Sequence, residues 1–214
     1  MAMLSFVSAV YNEIDEIGSL LAHVEPYVDV IRIVDDGSTD STATYLKYWV
    51  PDDPWVDYSY RTIEHTGLPE TVKAEAVKDV PDGSWVAMLD ADERFEEGAL
   101  LKMVKWIAEG PPPEITHVYF TKNEFLDGNQ VRSFQKVHLF RKESVTFSDI
   151  IHVDDAYTGD PVNIGLTVLH RKTSDKQRKR EKEYLDTYAK LVAEGKMTQE
   201  KADWCRGLHY YERD

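Results

Sequence analysis

Leu4-Ser5-Phe6-Val7-Ser8-Ala9-Val10-Tyr11-Asn12-Glu13 opens with an apolar run that stops at three polar residues. An uncharged stretch of this length suits a buried strand, and the polar triplet marks where the chain leaves the sheet. Ile14, Ile17, Leu20, Leu21 and Val24 then recur at helical spacing, and Pro26 ends that helix. Residues 30–34 (VIRIV) form a second strand. It runs into Asp35-Asp36-Gly37-Ser38-Thr39-Asp40, where Ser38 and Asp40 stand as caps for a helix reaching Trp49. Residues 56–61 are a third strand, 71–79 a helix, and 85–89 (WVAML) a fourth strand that ends in Asp90-Ala91-Asp92-Glu93. A helix over 96–108 follows and stops at Gly110-Pro111-Pro112-Pro113. Strand and helix in alternation predict an α/β fold with a mostly parallel sheet flanked by helices.

After the prolines the pattern changes. Residues 117–122 and 131–141 are strand-like and joined through Asp127-Gly128-Asn129-Gln130, a hairpin signal, and 166–170 make a last strand. From Ser174 the chain turns helical, with one apolar stripe of Tyr184, Leu185, Tyr188, Leu191 and Val192. Ser174 with Gln177 fits a capping box, Gly195 ends the helix, and Thr198 caps a final helix through Trp204 and Leu208. The stripe suits core packing, and a homodimer through these helices is the alternative.

The 214 residues carry 25 Lys and Arg against 39 Asp and Glu, a formal charge of −14. Such a surface repels polyanions, which argues against a general nucleic-acid binder. One local exception stands out: Arg171, Lys172, Lys176, Arg178, Lys179, Arg180 and Lys182 crowd twelve residues. They suit a solvated helix start, a flank of the active site that holds an anion, or a docking patch. The lone Cys205 excludes an internal disulfide and a multi-cysteine metal site. No apolar run approaches the roughly 20 residues of a membrane helix. The N-terminus lacks the basic start of a signal peptide, so the expected location is cytoplasmic, without integral membrane association.

The three polar clusters, Tyr11-Asn12-Glu13, Asp35-Asp36 and Asp90-Ala91-Asp92, fall at the carboxyl ends of three predicted parallel strands. That edge is where open α/β sheets bind ligands. Each cluster alone is explained as well by helix capping; three on one edge are not. In extended backbone Asp90 and Asp92 point to the same side, so both can face one hard cation such as Mn²⁺ or Mg²⁺. There is no G-x-G-x-x-G after the first strand and no G-x-x-x-x-G-K-[ST], so a phosphate ligand would be held by metal and basic side chains. Tyr11 offers a stacking face for a base, and Asp36 an acceptor.

Taken in order, Ser8-Ala9-Val10-Tyr11-Asn12-Glu13, Val34-Asp35-Asp36-Gly37-Ser38-Thr39-Asp40 and Leu89-Asp90-Ala91-Asp92-Glu93 resemble a GT-A-fold glycosyltransferase of family 2. Val137-His138-Leu139-Phe140-Arg141-Lys142, Phe147, Ile151-His152 and Leu169-His170 resemble a bacterial and phage branch of it. The resemblance implies a GT-A (Rossmann-like) domain over 1–172, with a nucleotide-binding half (1–110) and an acceptor-side half (111–172). A helical extension, 173–214, would pack on the same domain. It also implies roles. Tyr11, Glu13, Asp35, Asp36, Lys73 and Asp90 would serve the nucleotide. Asp92, Asp90, His152 and His170 would serve Mn²⁺ or Mg²⁺.

The implied reaction moves a sugar from a nucleotide-diphosphate donor, UDP favoured, to an acceptor hydroxyl with inversion. The acceptor would be a saccharide, a lipid-linked glycan, a protein or a modified phage DNA base. One departure matters: where that branch commonly has His-Glu, this chain has His152-Val153-Asp154-Asp155, so Asp154 or Asp155 would be the base. A non-catalytic nucleotide- or glycan-binding module and a sugar nucleotidyltransferase are the alternatives. The second would normally carry a glycine-rich signature near the first strand, where Ser8-Ala9-Val10-Tyr11 has none.

Overall fold

A computed structural model describes residues 3–147 and 155–206. Strands β1 (Leu4–Val10), β2 (Val30–Asp35), β3 (Asp57–Thr62) and β4 (Trp85–Met88) alternate with helices α1 (Ile14–Val24), α2 (Thr42–Tyr48) and α3 (Pro69–Lys78). Then come β5 (Glu93–Phe95), α4 (Ala99–Ala108), the long hairpin β6 (Ile115–Leu126) and β7 (Asn129–Arg141), and a small pair, β8 (Val145–Thr146) and β9 (Ala156–Tyr157). Strand β10 (Asp160–Lys172), α5 (Ser174–Ala193) and α6 (Gln199–Arg206) complete the described chain.

Eight strands form one sheet in the order β3-β2-β1-β4-β7-β6-β10-β5. β1, β2, β3 and β4 run parallel, as does β10 beside β6, while β7 and β5 run against their neighbours. The order changes direction at β1, with β2 on one side and β4 on the other, so a crevice opens at their carboxyl ends. Alternating side chains divide the core. Phe6, Ile31, Ile33, Trp85 and Ala87 pack with Ile17, Leu20, Leu21, Leu46, Met103 and Ile107, whereas Val7, Val34, Val86 and Met88 pack with Val72, Ala76 and Val77 of α3.

Four residues, Leu89 to Asp92, separate β4 from β5, yet the two strands stand fourth and eighth in the sheet. Flat, they would lie about 19 Å apart at ordinary strand spacing. The connection is instead a tight turn, closed by the Glu93 amide donating to Asp90 O at 3.0 Å. The sheet must therefore curl, and its concave face carries residues of β6, β7 and β10 in behind Asp90 and Asp92.

The differences from the sequence reading are local. β5 is a strand of three residues, too short for a periodicity to register, and α4 starts at Ala99 after Gly98 (φ 79°) rather than at residue 96. The hairpin turn is Asp127-Gly128, both at positive φ (49° and 82°), which lets the strands extend further than hydropathy alone suggests. Thr173, not Ser174, caps α5 by accepting from the Lys176 amide at 3.2 Å; Ser174 bonds Asp127 instead. The stripe on α5 is spent within the chain: Tyr188 is buried against Ala202 and Cys205, with Leu68 and Met197 around them. No described helix is long and apolar enough to cross a membrane.

Candidate active site

Asn12 leaves β1 in the left-handed region (φ 54°), which asparagine tolerates better than most residues. From there its Oδ1 accepts from the Thr39 and Asp40 amides at 2.8 and 3.2 Å, and its own amide donates to Ser38 Oγ at 2.8 Å. This ties the loop after β1 to the loop after β2. Asp40 bridges the same two loops through the Thr42 and Ile14 amides, so it is a cap, whereas Ser38 is a tie between loops. Asp35 is fully buried and consumed by its own turn, accepting from the Ser38 amide at 3.2 Å and from the Ser38 hydroxyl.

Beside these loops Tyr11 stacks on His65, with ring centroids 4.3 Å apart. Asp36 holds the loop after β3 by accepting from the Thr66 and Gly67 amides at 2.7 and 3.0 Å. Tyr11, Asp36 and His65 wall a small cavity whose other side is Arg180, Tyr184 and Thr187 of α5. A Cβ on Gly67 would come within 2.5 Å of Thr187, so glycine is what lets α5 close on this loop.

The cavity opens into a cleft of about 420 Å³ whose lining includes Glu13, Lys73, Asp90, Asp92, Lys136, Asp155, His170 and Lys176. Asp90 and Asp92 each face cations. Lys73 Nζ lies 3.0 Å from Asp90 Oδ1; His170 Nε2 and Lys176 Nζ lie 3.1 and 3.2 Å from the two oxygens of Asp92. Burial alone would raise both carboxyls. Lys73 and Lys122 outweigh it at Asp90, and His170 and Lys176 outweigh it at Asp92, so both are held well below the usual range. Burial would likewise lower His170, but its carboxylate neighbours raise it. Glu13 pairs with Lys176 at 2.8 Å and Arg180 at 2.7 Å, which fastens α5 over the cleft. Three members of the basic segment, Lys172, Lys176 and Arg180, therefore line the cleft, while Arg178 pairs with Asp175 on the surface.

Beneath lies a layer the sequence reading missed. Glu93 is 1% exposed, pairs with Lys122, and accepts from the Asp90 amide at 2.9 Å. Against the burial that would raise it, Lys122 holds its carboxyl at about 2. Glu124 Oε1 lies 3.4 Å from His170 Nδ1, and against its own burial its carboxyl is also held at about 2, with His170 and Lys172 lowering it. His138 Nδ1 faces Met88 O at 2.9 Å, and burial pushes that imidazole down to about 4, so it is neutral at pH 7. Lys122 and Glu124 sit in unremarkable strand positions, and although Glu93 and His138 fall in stretches that carry the family resemblance, only the curl brings the four together.

The sign of the two carboxyl shifts fixes an acid limit. Groups depressed in the fold stabilise it above their unfolded value and lose that stabilisation as pH falls toward the folded one. Metal-free protein is thus expected to hold its melting temperature above pH 5. It should lose it increasingly as pH falls from about 4.5 toward 2, and Glu124→Gln should flatten that fall. Thermal melts across the range check it; a wild-type profile unchanged down to pH 3 would contradict the assignment.

Among the described residues, no group of three or more His, Cys, Asp or Glu side chains is arranged to hold a metal ion. Asp92 Oδ1 and His170 Nε2 form a pair of donors 3.1 Å apart. Glu124 stands behind the other ring nitrogen, as carboxylates do behind metal-ligating histidines. A divalent ion that takes its remaining ligands from water and phosphate fits such a pair. Asp90 faces Lys73 instead, and His152 and Asp154 lie outside the described residues.

The sequence profile of Glycosyl transferase family 2 matches residues 5–159. The chain belongs to that family. It is accordingly a glycosyltransferase, and its curled, mostly parallel sheet is the GT-A fold. Among solved structures it resembles TarS 1–349 of S. aureus in complex with UDP-GlcNAc, with TM-score 0.62 and 13% identity over 96% of this chain and 70% of that one. It also resembles the mannosyltransferase PcManGT of Pyrobaculum calidifontis in complex with GDP-Man and Mn²⁺ (TM-score 0.60, 16% identity, 89% of this chain and 64% of that one). GalNAc-T7 with UDP, GalNAc and Mn²⁺ is similar at TM-score 0.54 and 11% identity, over 88% of this chain and 48% of that one. No curated protein matches the sequence.

Proposed function

We propose that this family 2 enzyme transfers a sugar from a nucleotide-diphosphate donor, UDP favoured, to an acceptor hydroxyl with inversion. The observation that carries it is the continuity of the Tyr11–Asp36–His65 cavity with the cleft at Asp90 and Asp92. The base lies in the cavity beside Tyr11 and Asp36, and the diphosphate in the cleft, where Lys73, Lys176 and Arg180 can exchange carboxylate partners for phosphate oxygens. Asp92 and His170 would hold the Mn²⁺ or Mg²⁺, with Asp90 nearby. When bound, that ion supplies neutralisation of charge gathering on the departing diphosphate. Complexes of similar folds with UDP-GlcNAc, and with GDP-Man and Mn²⁺, support this assignment.

For the base we propose Asp155, which lines the cleft, or its neighbour Asp154. Its carboxylate takes the acceptor hydroxyl's proton as that oxygen attacks the anomeric carbon and the bond to the diphosphate breaks. Calorimetric titration with UDP, GDP, dTDP and CDP, with and without Mn²⁺, tests the donor site. One nucleotide is expected to bind in a metal-dependent way. Tyr11→Ala is expected to weaken it roughly tenfold, the worth of a lost stacking face. Tight binding indifferent to metal, with no transfer, would favour a binding module. No nucleotide bound by folded protein would sink the reading.

A further inference from the structure

Nearly every buried cation of the cleft has an acidic partner: Lys73 has Asp90, Lys122 has Glu93, Lys176 has Glu13 and Asp92, and Arg180 has Glu13. Lys136 is different. It lines the cleft, yet no carboxylate of the described residues pairs with its amine. Its place is defined by register: β7 runs against β4 with Ala87 opposite Leu139, and continuing that ladder sets Lys136 across from Asp90. It thus lies one strand beyond Asp90, on the side away from Tyr11 and β1. Past it the cleft continues along Phe134, Gln135, Arg132 and Tyr119.

We propose that Lys136, with Lys122 and Lys73 beside it, seats an anionic group, phosphate or carboxylate, carried by the sugar acceptor. This rests on the donor reading above, because the donor's diphosphate is what claims the Asp90–Asp92 end and leaves Lys136 to the far end. The placement explains an otherwise costly arrangement. The protein carries a net charge of −14, yet among the described residues this half-buried lysine has two other lysines, Lys122 and Lys73, converging on it and no carboxylate paired with it. Burial, then Lys122 and Lys73, hold the Lys136 amine below its ordinary range against the pull of Asp90 and Glu93, and an arriving anion offsets the two lysine repulsions. A neutral acceptor would leave them in place.

The test is calorimetric, on protein saturated with UDP and Mn²⁺, using glycerol 3-phosphate and glucuronate as anionic probes and glycerol and glucose as neutral ones. The anionic probes are expected to bind and the neutral ones not. Lys136→Met should weaken the anions at least tenfold while UDP affinity stays within twofold, and Lys136→Arg should keep both. Three results overturn the proposal: no preference for anions, equal binding by Lys136→Met, or a matching loss of UDP, which would assign Lys136 to the donor diphosphate. Repeating the titration with intact UDP-N-acetylglucosamine separates the sources. Displacement of the anion by the donor's sugar would give the seat to the donor and overturn the acceptor assignment. If UDP itself does not bind, the donor reading fails, and titrating the probes into nucleotide-free wild type and Lys136→Met still decides whether Lys136 holds an anion.

Discussion

Asp92→Ala is expected to lower sugar transfer by roughly 10³-fold, on the scale of removing a principal electrostatic contributor to a transition state. Both oxygens of Asp92 are engaged, by His170 at 3.1 Å and Lys176 at 3.2 Å. Asp90 faces Lys73 and is not poised to substitute. The fold should survive the change. His170 can shed its proton, and Lys176 keeps Glu13 at 2.8 Å, which limits the stability loss to about 1–3 kcal/mol. Donor turnover and a thermal melt, measured on the same preparation, separate the two effects. A folded Asp92→Ala protein retaining more than a tenth of wild-type turnover would remove Asp92 from the reaction.

The second large effect is on stability. Glu93 and Lys122 have side chains only 2% and 5% exposed, and they pair beneath the turn at Asp90 and Asp92. Glu93→Ala takes the close partner from the Lys122 ammonium, leaving it Glu124 at 3.9 Å, and removes the acceptor of the Asp90 amide. Breaking a buried pair from one side costs about 3–5 kcal/mol, a fall in melting temperature of roughly 6–20 °C for a chain of this size. Lys122→Met should do similar damage by stranding Glu93. The double variant Glu93→Leu with Lys122→Met should recover much of the loss, because neither charge is then left unpaired. Single variants that melt within about 2 °C of wild type would show that the pair supports nothing.

The parallel half of the fold was legible because each of its strands ends in a chemical signal. Val10 gives way to Tyr11-Asn12-Glu13, Val34 to Asp35-Asp36, and Leu89 to Asp90-Ala91-Asp92. The family, the GT-A architecture and the residues gathered at the crevice followed from those junctions. The supporting layer was not legible. Lys122, Glu124, Lys136 and His138 alternate within long strands like any half-buried residues, and nothing in their spacing says that β5 pairs with β10 and draws the concave face inward. The resemblance gives Glu13 to the nucleotide; in the fold its carboxylate pairs with Lys176 and Arg180. That pairing spans more than 160 residues of sequence, beyond the reach of any local pattern.

The curl of the sheet also dictates when the site can exist. Asp90 and Asp92 belong to the first half of the chain, but Arg171 bonds Asp92 O through its amide, His170 faces the Asp92 carboxylate, and Lys176 closes over it. During synthesis the first four strands can pair, with Asp90 already beside Lys73 of α3, while the Asp92 carboxylate still lies open. Only when β10 slots between β6 and β5 and α5 swings across does Asp92 meet His170 and Lys176. Contacts of such long sequence separation form late, because loop closure must be met before they give any return. A nascent or truncated chain ending before residue 170 would therefore present a sheet whose Asp92 lacks both His170 and Lys176, so the crevice is complete only when the fold is.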